Sequence, residues 1–180
     1  MFVQIENTPN PNSLKFLPGK IVSKDGPIEV LDVNDSENEL VKNILSINGI
    51  RGIFLYENFL SVNKKSEFEW SDLKHIIISY INDFYSKGND CVVSNNLSEK
   101  SKKKYDEIEK KIINVLETKV RPAVARDGGD ISFENFRNGV VTVKLQGSCS
   151  GCPSSTLTLK KGVENLLSHY IPEVREVVSI

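Results

Sequence analysis

The sequence has few of the features that mark a secreted, a membrane-spanning or a nucleic-acid-binding protein. Its 180 residues include only three cysteines, a low and odd number that argues against a secreted disulfide framework. No apolar run approaches the ~18 residues that a membrane span needs. The formal net charge of -1 gives no general attraction to nucleic acid or to an anionic membrane. These absences leave a globular protein, for which 39% hydrophobic and 26% charged residues are ordinary values.

The start of the sequence also lacks a targeting pattern. Met1 to Glu6 has neither a basic segment followed by an apolar one nor the Arg-rich, acid-poor composition of a transit peptide. We therefore expect a cytosolic protein. In such a reducing compartment, closely spaced cysteines bind metal or take part in redox chemistry rather than form structural disulfides.

Small and polar residues divide the chain in two. They dominate between Ser86 and Ser98, which predicts a linker. We expect an N-terminal domain over residues 1–86, a linker over 87–98 and a C-terminal domain over 99–180. The linker contains Cys91, which we interpret as a single, unligated thiol.

The first half predicts an α+β domain with two helices on one face of a largely antiparallel sheet. Ser36, followed three residues later by Glu39, has the spacing of a capping box before one helix, and Ser71 can cap the other. His75 lies on the second helix among packing residues, where we expect a surface or half-buried side chain rather than a ligand. No cluster of titratable residues in this half predicts a site.

The second half predicts a helix, a hairpin, a cysteine loop, a second helix and a closing strand. The first helical pattern continues past Pro122, so that helix either kinks there or ends one turn early. Asn138-Gly139 is a strong hairpin signal between two strands of alternating pattern. Pro153 and the hydroxyl residues after it mark the start of the second helix. The second domain is therefore α+β as well.

The loop before the second helix carries the chemistry. Cys149 and Cys152 lie in the run from Gln146 to Thr156, among small residues that we expect to leave both sulfurs uncovered. Cys152 comes directly before the helix start, where unpaired N–H groups and a partial positive charge favour thiolate over thiol. The pair is therefore suited to ligate a soft metal or to react.

This cysteine pair provides only half of the ligands that the expected metal sites need. Structural zinc sites and the common iron–sulfur clusters need four ligands. His169 is the other soft ligand of the second half, but it lies on the packing helix, and a helix end with a turn explains Asp127 and Asp130. The simplest source of further ligands is the same motif on a second chain, related by a two-fold axis. A cluster held at such an interface is easy to release, which is the property of a carrier.

Other chemistries remain open for the same pair. Thioredoxin-like dithiol oxidoreductases also use two cysteines at a helix start. Against that reading, the sequence lacks the alternating βαβ pattern and has no aromatic residue directly before Cys149. A zinc site shared between chains and an unligated structural pair are the further alternatives.

Three segments resemble a known family. The segment RPAVARDGGD, from Arg121 to Asp130, and the segment from Leu145 to Leu159 around the two cysteines closely resemble the C-terminal domain of NifU-like (Nfu-type) iron–sulfur cluster assembly proteins. The segment TPNPNSLKF, from Thr8 to Phe16, resembles the opening of the N-terminal domain that accompanies it.

The resemblance implies a carrier without catalytic activity. In that family, the cysteines at the positions of Cys149 and Cys152 bind a transient [4Fe-4S] cluster, bridged between the two chains of a homodimer that forms on loading. The cluster comes from an upstream donor and passes to apo iron–sulfur client proteins. The resemblance also implies a small two-layer α/β sandwich for the second domain.

The sequence departs from two branches of that family. It lacks the N-terminal scaffold domain and the permanent [2Fe-2S] domain of nitrogenase-associated NifU, which puts de novo cluster building in doubt. It also lacks the presequence of the mitochondrial members. We therefore expect a bacterial cytoplasmic protein.

Overall fold

Alternating apolar residues build two separate sheets, one in each of two units, Met1–Ser98 and Glu99–Ile180. The computed structural model describes residues 2–90, 92, 105–150 and 153–180. Helices and antiparallel strands occur in both units, which confirms the predicted α+β class. Within these ranges, no helix is long and apolar enough to cross a membrane.

The first unit contains a five-stranded antiparallel sheet with two helices packed on it. The strands are β1 (Gln4–Asn7), β2 (Ser13–Leu17), β3 (Ile28–Val30), β4 (Ile50–Leu55) and β5 (Leu60–Lys64), in the order β1-β2-β5-β4-β3. The helices are α1 (Glu39–Leu45) and α2 (Trp70–Ser86). Fully buried side chains from both layers form the core: Phe16, Ile44, Ile53, Leu60, Ile77 and Ile81. Burial of each such side chain stabilises the unit by about 1.5–3 kcal/mol.

Both helices of the first unit begin at a residue other than the predicted cap. Asn38 caps α1, because its Oδ1 accepts hydrogen bonds from two backbone N–H groups of the first turn, at 2.9 and 3.2 Å. Ser36 instead accepts from the N–H of Asn38 at 3.2 Å. α2 follows Glu69, and Ser71 lies inside the helix. The spacing predicted both helices but not their first residues, since several polar residues near each start compete for the cap position.

Part of the predicted linker packs on the first unit. Val92 is buried, and its N–H donates to the carbonyl of Val22 at 2.9 Å, while its carbonyl accepts from the side chain of Asn38. Cys91 and residues 93–98 lie outside the described ranges. The domain limits derived from composition stay a prediction.

In its described residues, 105–150 and 153–180, the second unit has a three-stranded sheet and three α-helices. The strands are β6 (Gly129–Arg137), β7 (Val140–Gly147) and β8 (Glu176–Ser179), and the central β7 pairs antiparallel with β6 and parallel with β8. The helices are α3 (Glu107–Val115), α4 (Arg121–Arg126) and α5 (Pro153–Tyr170). The core is formed by Ile112, Leu116, Ile131, Val141, Leu167 and Val177.

The chain passes Pro122 without ending its helix. A π-helical turn over Leu116–Val120 separates α3 from α4. Pro122 lies in the first turn of α4, where the backbone N–H that proline lacks would have no partner within α4. α4 ends at Arg126, and Gly128, two residues later, has a φ of 81°, the left-handed conformation expected just after a helix end. The chain then enters β6, the strand that lies beside the cysteine loop.

Candidate functional site

Cys149 lies in the turn that connects β7 to α5. β7 ends at Gly147, whose φ of 70° turns the chain sharply. Ser150 closes this turn, because its N–H and its hydroxyl both donate to the carbonyl of Gly147, at 3.2 and 2.8 Å. Gly151 and Cys152 lie outside the described residues. The structure therefore places one of the two predicted ligands.

The sulfur of Cys149 is buried rather than uncovered. Only 8% of the residue is exposed, which corrects the expectation that small neighbours leave the thiol open. The physical reason is Gly129 at the start of β6. A Cβ at Gly129 would lie 2.7 Å from the sulfur and 2.7 Å from the carbonyl oxygen of Gln146. The absence of a side chain thus lets the backbone of β6 close over the thiol.

Ser148 holds the loop against the turn that follows α4. It is 2% exposed, its N–H donates to the carbonyl of Gly128 at 3.2 Å, and its hydroxyl donates to the carbonyl of Asp127. Its Oγ also lies 3.9 Å from the sulfur of Cys149. The residue before the thiol is therefore fixed by contacts outside the loop.

Thr156 connects the loop to the first turn of α5. Its hydroxyl donates to the carbonyl of Cys149 at 3.1 Å, across seven residues of chain. The segment that contains both predicted ligands is thus closed by a hydrogen bond. Cys149 is held from the side of β6 and from the side of α5.

A buried ion pair adjoins the loop through β6. Asp130 follows Gly129, lies opposite Gln146 in the sheet, and has a side chain only 1% exposed. Arg121 donates to both of its carboxylate oxygens, from Nε at 2.7 Å and from Nη2 at 3.0 Å, and Nη1 donates to Glu117 at 2.8 Å. The hydrogen bond to Asp130 raises the pKa of Arg121 above its ordinary value. Because the carboxylate is bonded to a guanidinium, this geometry agrees with the interpretation that Asp130 is not a metal ligand.

The thiol of Cys149 is protonated at neutral pH. Burial raises its pKa from 9.0 to about 11; the carboxylates of Asp127 and Asp130 act in the same direction and the hydrogen bond to Ser148 in the other. A soft metal must therefore displace a proton to bind this sulfur. The residue fits such a metal by its chemistry, since thiolate is the ligand that soft metals prefer.

Within the second unit, His169 lies far along α5 from the cysteine loop. His169 lies in the last turn of α5, about 24 Å along the helix axis from Pro153 at ~1.5 Å per residue. Its ring packs edge-on against Tyr170, with 5.1 Å between the ring centroids. His75 is exposed on α2, in the first unit. In the part of the chain that the structure describes, no three His, Cys, Asp or Glu side chains gather as a metal site.

The residues that hold Cys149 were not identified from the sequence. Gly129, Ser148 and Thr156 lie within the segments that carry the family resemblance, but their spacing predicts no contact with the thiol. Of these three residues, only Gly129 is marked by a feature of the sequence. Gly128 alone is enough to end α4, so a second consecutive glycine has a separate cause, which is the close approach of the sulfur.

Two family models match the chain. The model described as "NifU-like domain" matches residues 112–178, and the model described as "Scaffold protein Nfu/NifU N terminal" matches residues 3–88.

Curated relatives match over nearly the whole chain. The human protein named "NFU1 iron-sulfur cluster scaffold homolog, mitochondrial" is 39% identical over 183 residues, which cover 100% of this chain and 72% of that protein. "NifU-like protein 4, mitochondrial" from Arabidopsis thaliana is 39% identical over 184 residues, covering 98% of this chain and 65% of that protein. A solution structure of a NifU-like protein from Saccharomyces cerevisiae aligns with 22% identity and a TM-score of 0.49, over 53% of this chain and 87% of that one.

These relatives contradict the expected location. The human and Arabidopsis proteins, and a further relative from Drosophila willistoni that is 40% identical, are all named as mitochondrial. The prediction of a bacterial cytoplasmic protein is therefore wrong. It depended on the missing presequence, but the chain spans 64–72% of the length of these proteins, so the point at which it begins says nothing of a targeting segment.

Proposed function

We propose, because this chain belongs to the NifU-like (Nfu-type) family of iron–sulfur cluster scaffold proteins, that it holds a [4Fe-4S] cluster transiently through Cys149 and Cys152 and passes it to apo-proteins. The cluster is cargo, and the protein turns over no substrate. The observation that carries this proposal is the turn between β7 and α5, which is shaped around the sulfur of Cys149.

The number of ligands supports a cluster shared between two chains. A [4Fe-4S] cluster is bound by four thiolates, and the motif of one chain contributes two. Among the described residues, no further cluster of metal-binding side chains supports a site within one chain. A two-fold axis through the cluster completes the set with the same motif of a second chain. The loaded protein is then a homodimer, and association rises with loading.

The protonation of Cys149 supports a transient hold. At neutral pH a thiol with a pKa of about 11 binds a proton that competes with iron for the sulfur. This competition lowers the affinity for the cluster and favours its release to a recipient whose cysteines ionise more readily.

The same property argues against Cys149 as the attacking thiol of dithiol exchange. An attacking thiolate in an oxidoreductase has a lowered pKa, commonly near or below neutral. Cys149 has a raised one. The zinc alternative uses the same sulfurs, and the experiment below separates it from the cluster.

The test is anaerobic reconstitution of the full chain with iron and sulfide. We expect a brown product with about one [4Fe-4S] cluster for two chains, measured by absorption, by iron and sulfide analysis and by native mass spectrometry. Dimer and cluster should increase together. A monomer with a complete, tightly held cluster would contradict the bridged site, and a colourless product that retains zinc would contradict the cluster.

Cysteine variants assign the ligands. Cys149→Ser and Cys152→Ser should each abolish stable loading, because a hydroxyl is a poor ligand for a soft metal. Cys91→Ser is the matched control and should load like the wild type.

Transfer is measured separately, with loaded wild-type protein and an apo-enzyme that requires a [4Fe-4S] cluster. The recipient should gain activity even when a chelator is present in solution. Recovery that stops on addition of the chelator would contradict direct transfer.

A further inference from the structure

The hydrogen bond from Thr156 to Cys149 encloses both predicted cluster ligands. Cys149 accepts through its carbonyl at one end of the segment, and Thr156 donates from the first turn of α5 at the other, at 3.1 Å. Cys152 lies between them in the chain. This bond therefore connects the carbonyl of Cys149 to the first turn of α5.

Other hydrogen bonds hold the first half of the loop. Ser150 donates to Gly147, and Ser148 donates to Asp127 and Gly128, so these bonds connect the loop to β7 and to the turn before β6. Among the hydrogen bonds of the described residues, the one from Thr156 joins Cys149 to α5. Its loss would remove this connection between Cys149 and α5.

We infer that Thr156 is a positioning residue for cluster binding: its hydroxyl holds the backbone of Cys149 against the first turn of α5. The inference rests on the proposed function. A ligand binds a cluster best when its backbone is already fixed in the unloaded protein, since ordering it on binding costs affinity. Groups that orient a metal ligand have a large effect on affinity although they do not touch the metal.

The matched set of variants is Thr156→Val, Thr156→Ser and Thr118→Val. Valine has the shape of threonine without its hydroxyl, and serine restores the donor. Thr118 is exposed and makes the same kind of bond, from Oγ1 to the carbonyl of Asn114 at 2.7 Å, in the π-helical turn of the same unit. Thr118→Val therefore controls for the loss of one hydroxyl-to-carbonyl bond away from the loop.

Two quantities are measured on the full chain. The first is the rate at which reconstituted protein loses its cluster to a chelator, under anaerobic conditions. For Thr156→Val we expect a rate about fivefold higher, the factor that one neutral hydrogen bond is worth. Thr156→Ser and Thr118→Val should lose the cluster at the wild-type rate.

The second quantity needs no cluster. In apo-protein, a maleimide should label Cys149 faster in Thr156→Val than in the wild type at one fixed pH. Cys149 and Cys152 lie on the same tryptic peptide, so the labelled residue is identified by fragmentation of that peptide in the mass spectrometer. Wild-type Cys149 should react slowly, because it is buried.

Cluster loss from Thr156→Val at the wild-type rate would overturn the inference, as would equal acceleration in Thr118→Val. If the wild type takes up no cluster, the proposed function fails instead. The labelling rates then decide the positioning role alone, and equal rates for Thr156→Val and the wild type would refute it.

Discussion

In the first unit, the turn between β1 and β2 is locked by its own short side chains. The hydroxyl of Thr8 donates to the carbonyls of Asn10 and Ser13, at 2.9 and 3.0 Å, and the N–H of Asn12 donates to the side chain of Asn10 at 2.9 Å. In the second unit, Ser148 and Thr156 lock the cysteine loop with bonds of the same kind. Side-chain bonds to backbone make a turn rigid in either place, but only the second turn has a buried thiol at its centre.

The two units also contain ion pairs that differ in their exposure to solvent. The first unit has an ion pair at its surface, in which Lys87 and Glu39 have side chains 57% and 60% exposed. The second unit buries Asp130 beside the cysteine loop and neutralises it with Arg121. The ion pair beside Cys149 is thus buried, whereas the pair of Lys87 and Glu39 lies in solvent. The predictions below test this difference, from the largest effect to the smallest.

Removal of one ion-pair partner should harm only the second unit. Arg121→Met leaves the carboxylate of Asp130 buried without its cation, which we expect to reduce the stability of that unit by about 3 kcal/mol or more. Lys87→Met breaks a solvent-exposed pair and should produce no measurable change. Amide hydrogen exchange, followed by mass spectrometry in peptides of each unit, measures both. Equal losses of stability in Arg121→Met and Lys87→Met would contradict the expected difference between the buried and the exposed ion pair.

A methyl group added at two equally crowded glycines should have unequal effects. At Gly129 a Cβ would lie 2.7 Å from a buried sulfur and from a backbone carbonyl oxygen, neither of which can move freely. We expect Gly129→Ala to reduce the stability of the second unit by about 2 kcal/mol through overpacking and to lower the yield of cluster reconstitution.

Gly52 is the control position. There a Cβ would lie 2.7 Å from Cδ2 of Leu31, a residue that is 62% exposed and whose side chain can rotate away. Gly52→Ala should stay within about 1 kcal/mol of the wild type in chemical denaturation. A larger loss of stability for Gly52→Ala than for Gly129→Ala would refute the conclusion that Gly129 is the more tightly confined of the two glycines.

The smallest effect is the response of the apo-protein to alkaline pH. A thiol whose pKa rises on folding stabilises the folded unit while it is protonated. This contribution is complete below the ordinary pKa of 9.0 and is lost as the pH rises through about 11. By pH ~10 we expect the second unit to have lost about 1 kcal/mol more stability in the wild type than in Cys149→Ser. Denaturant unfolding of both proteins at several pH values measures the difference. Parallel pH profiles would show that the thiol is not perturbed in the folded unit.

Much of the fold could be predicted because neighbouring residues decide it. Asn138 and Gly139 have φ values of 51° and 83°, and the predicted hairpin lies where these residues permit such angles. Helix starts were less predictable. Ser36 and Ser71 had suitable positions, but Asn38 and Glu69 precede the helices, because the cap depends on where the packed helix begins as well as on sequence spacing.

The sequence by itself determined the order of the elements and the place of Cys149 between a strand and a helix, since hydrophobic period, turn residues and Pro153 act over a few neighbouring positions. Only the tertiary structure decided that the thiol is buried and that its pKa lies above the ordinary value. Gly129 meets the sulfur only when β6 pairs with β7, and the charges of Asp127 and Asp130 reach it only through the same pairing. Burial and electrostatics depend on residues that are distant in the chain, so no local pattern around the two cysteines could have contained them.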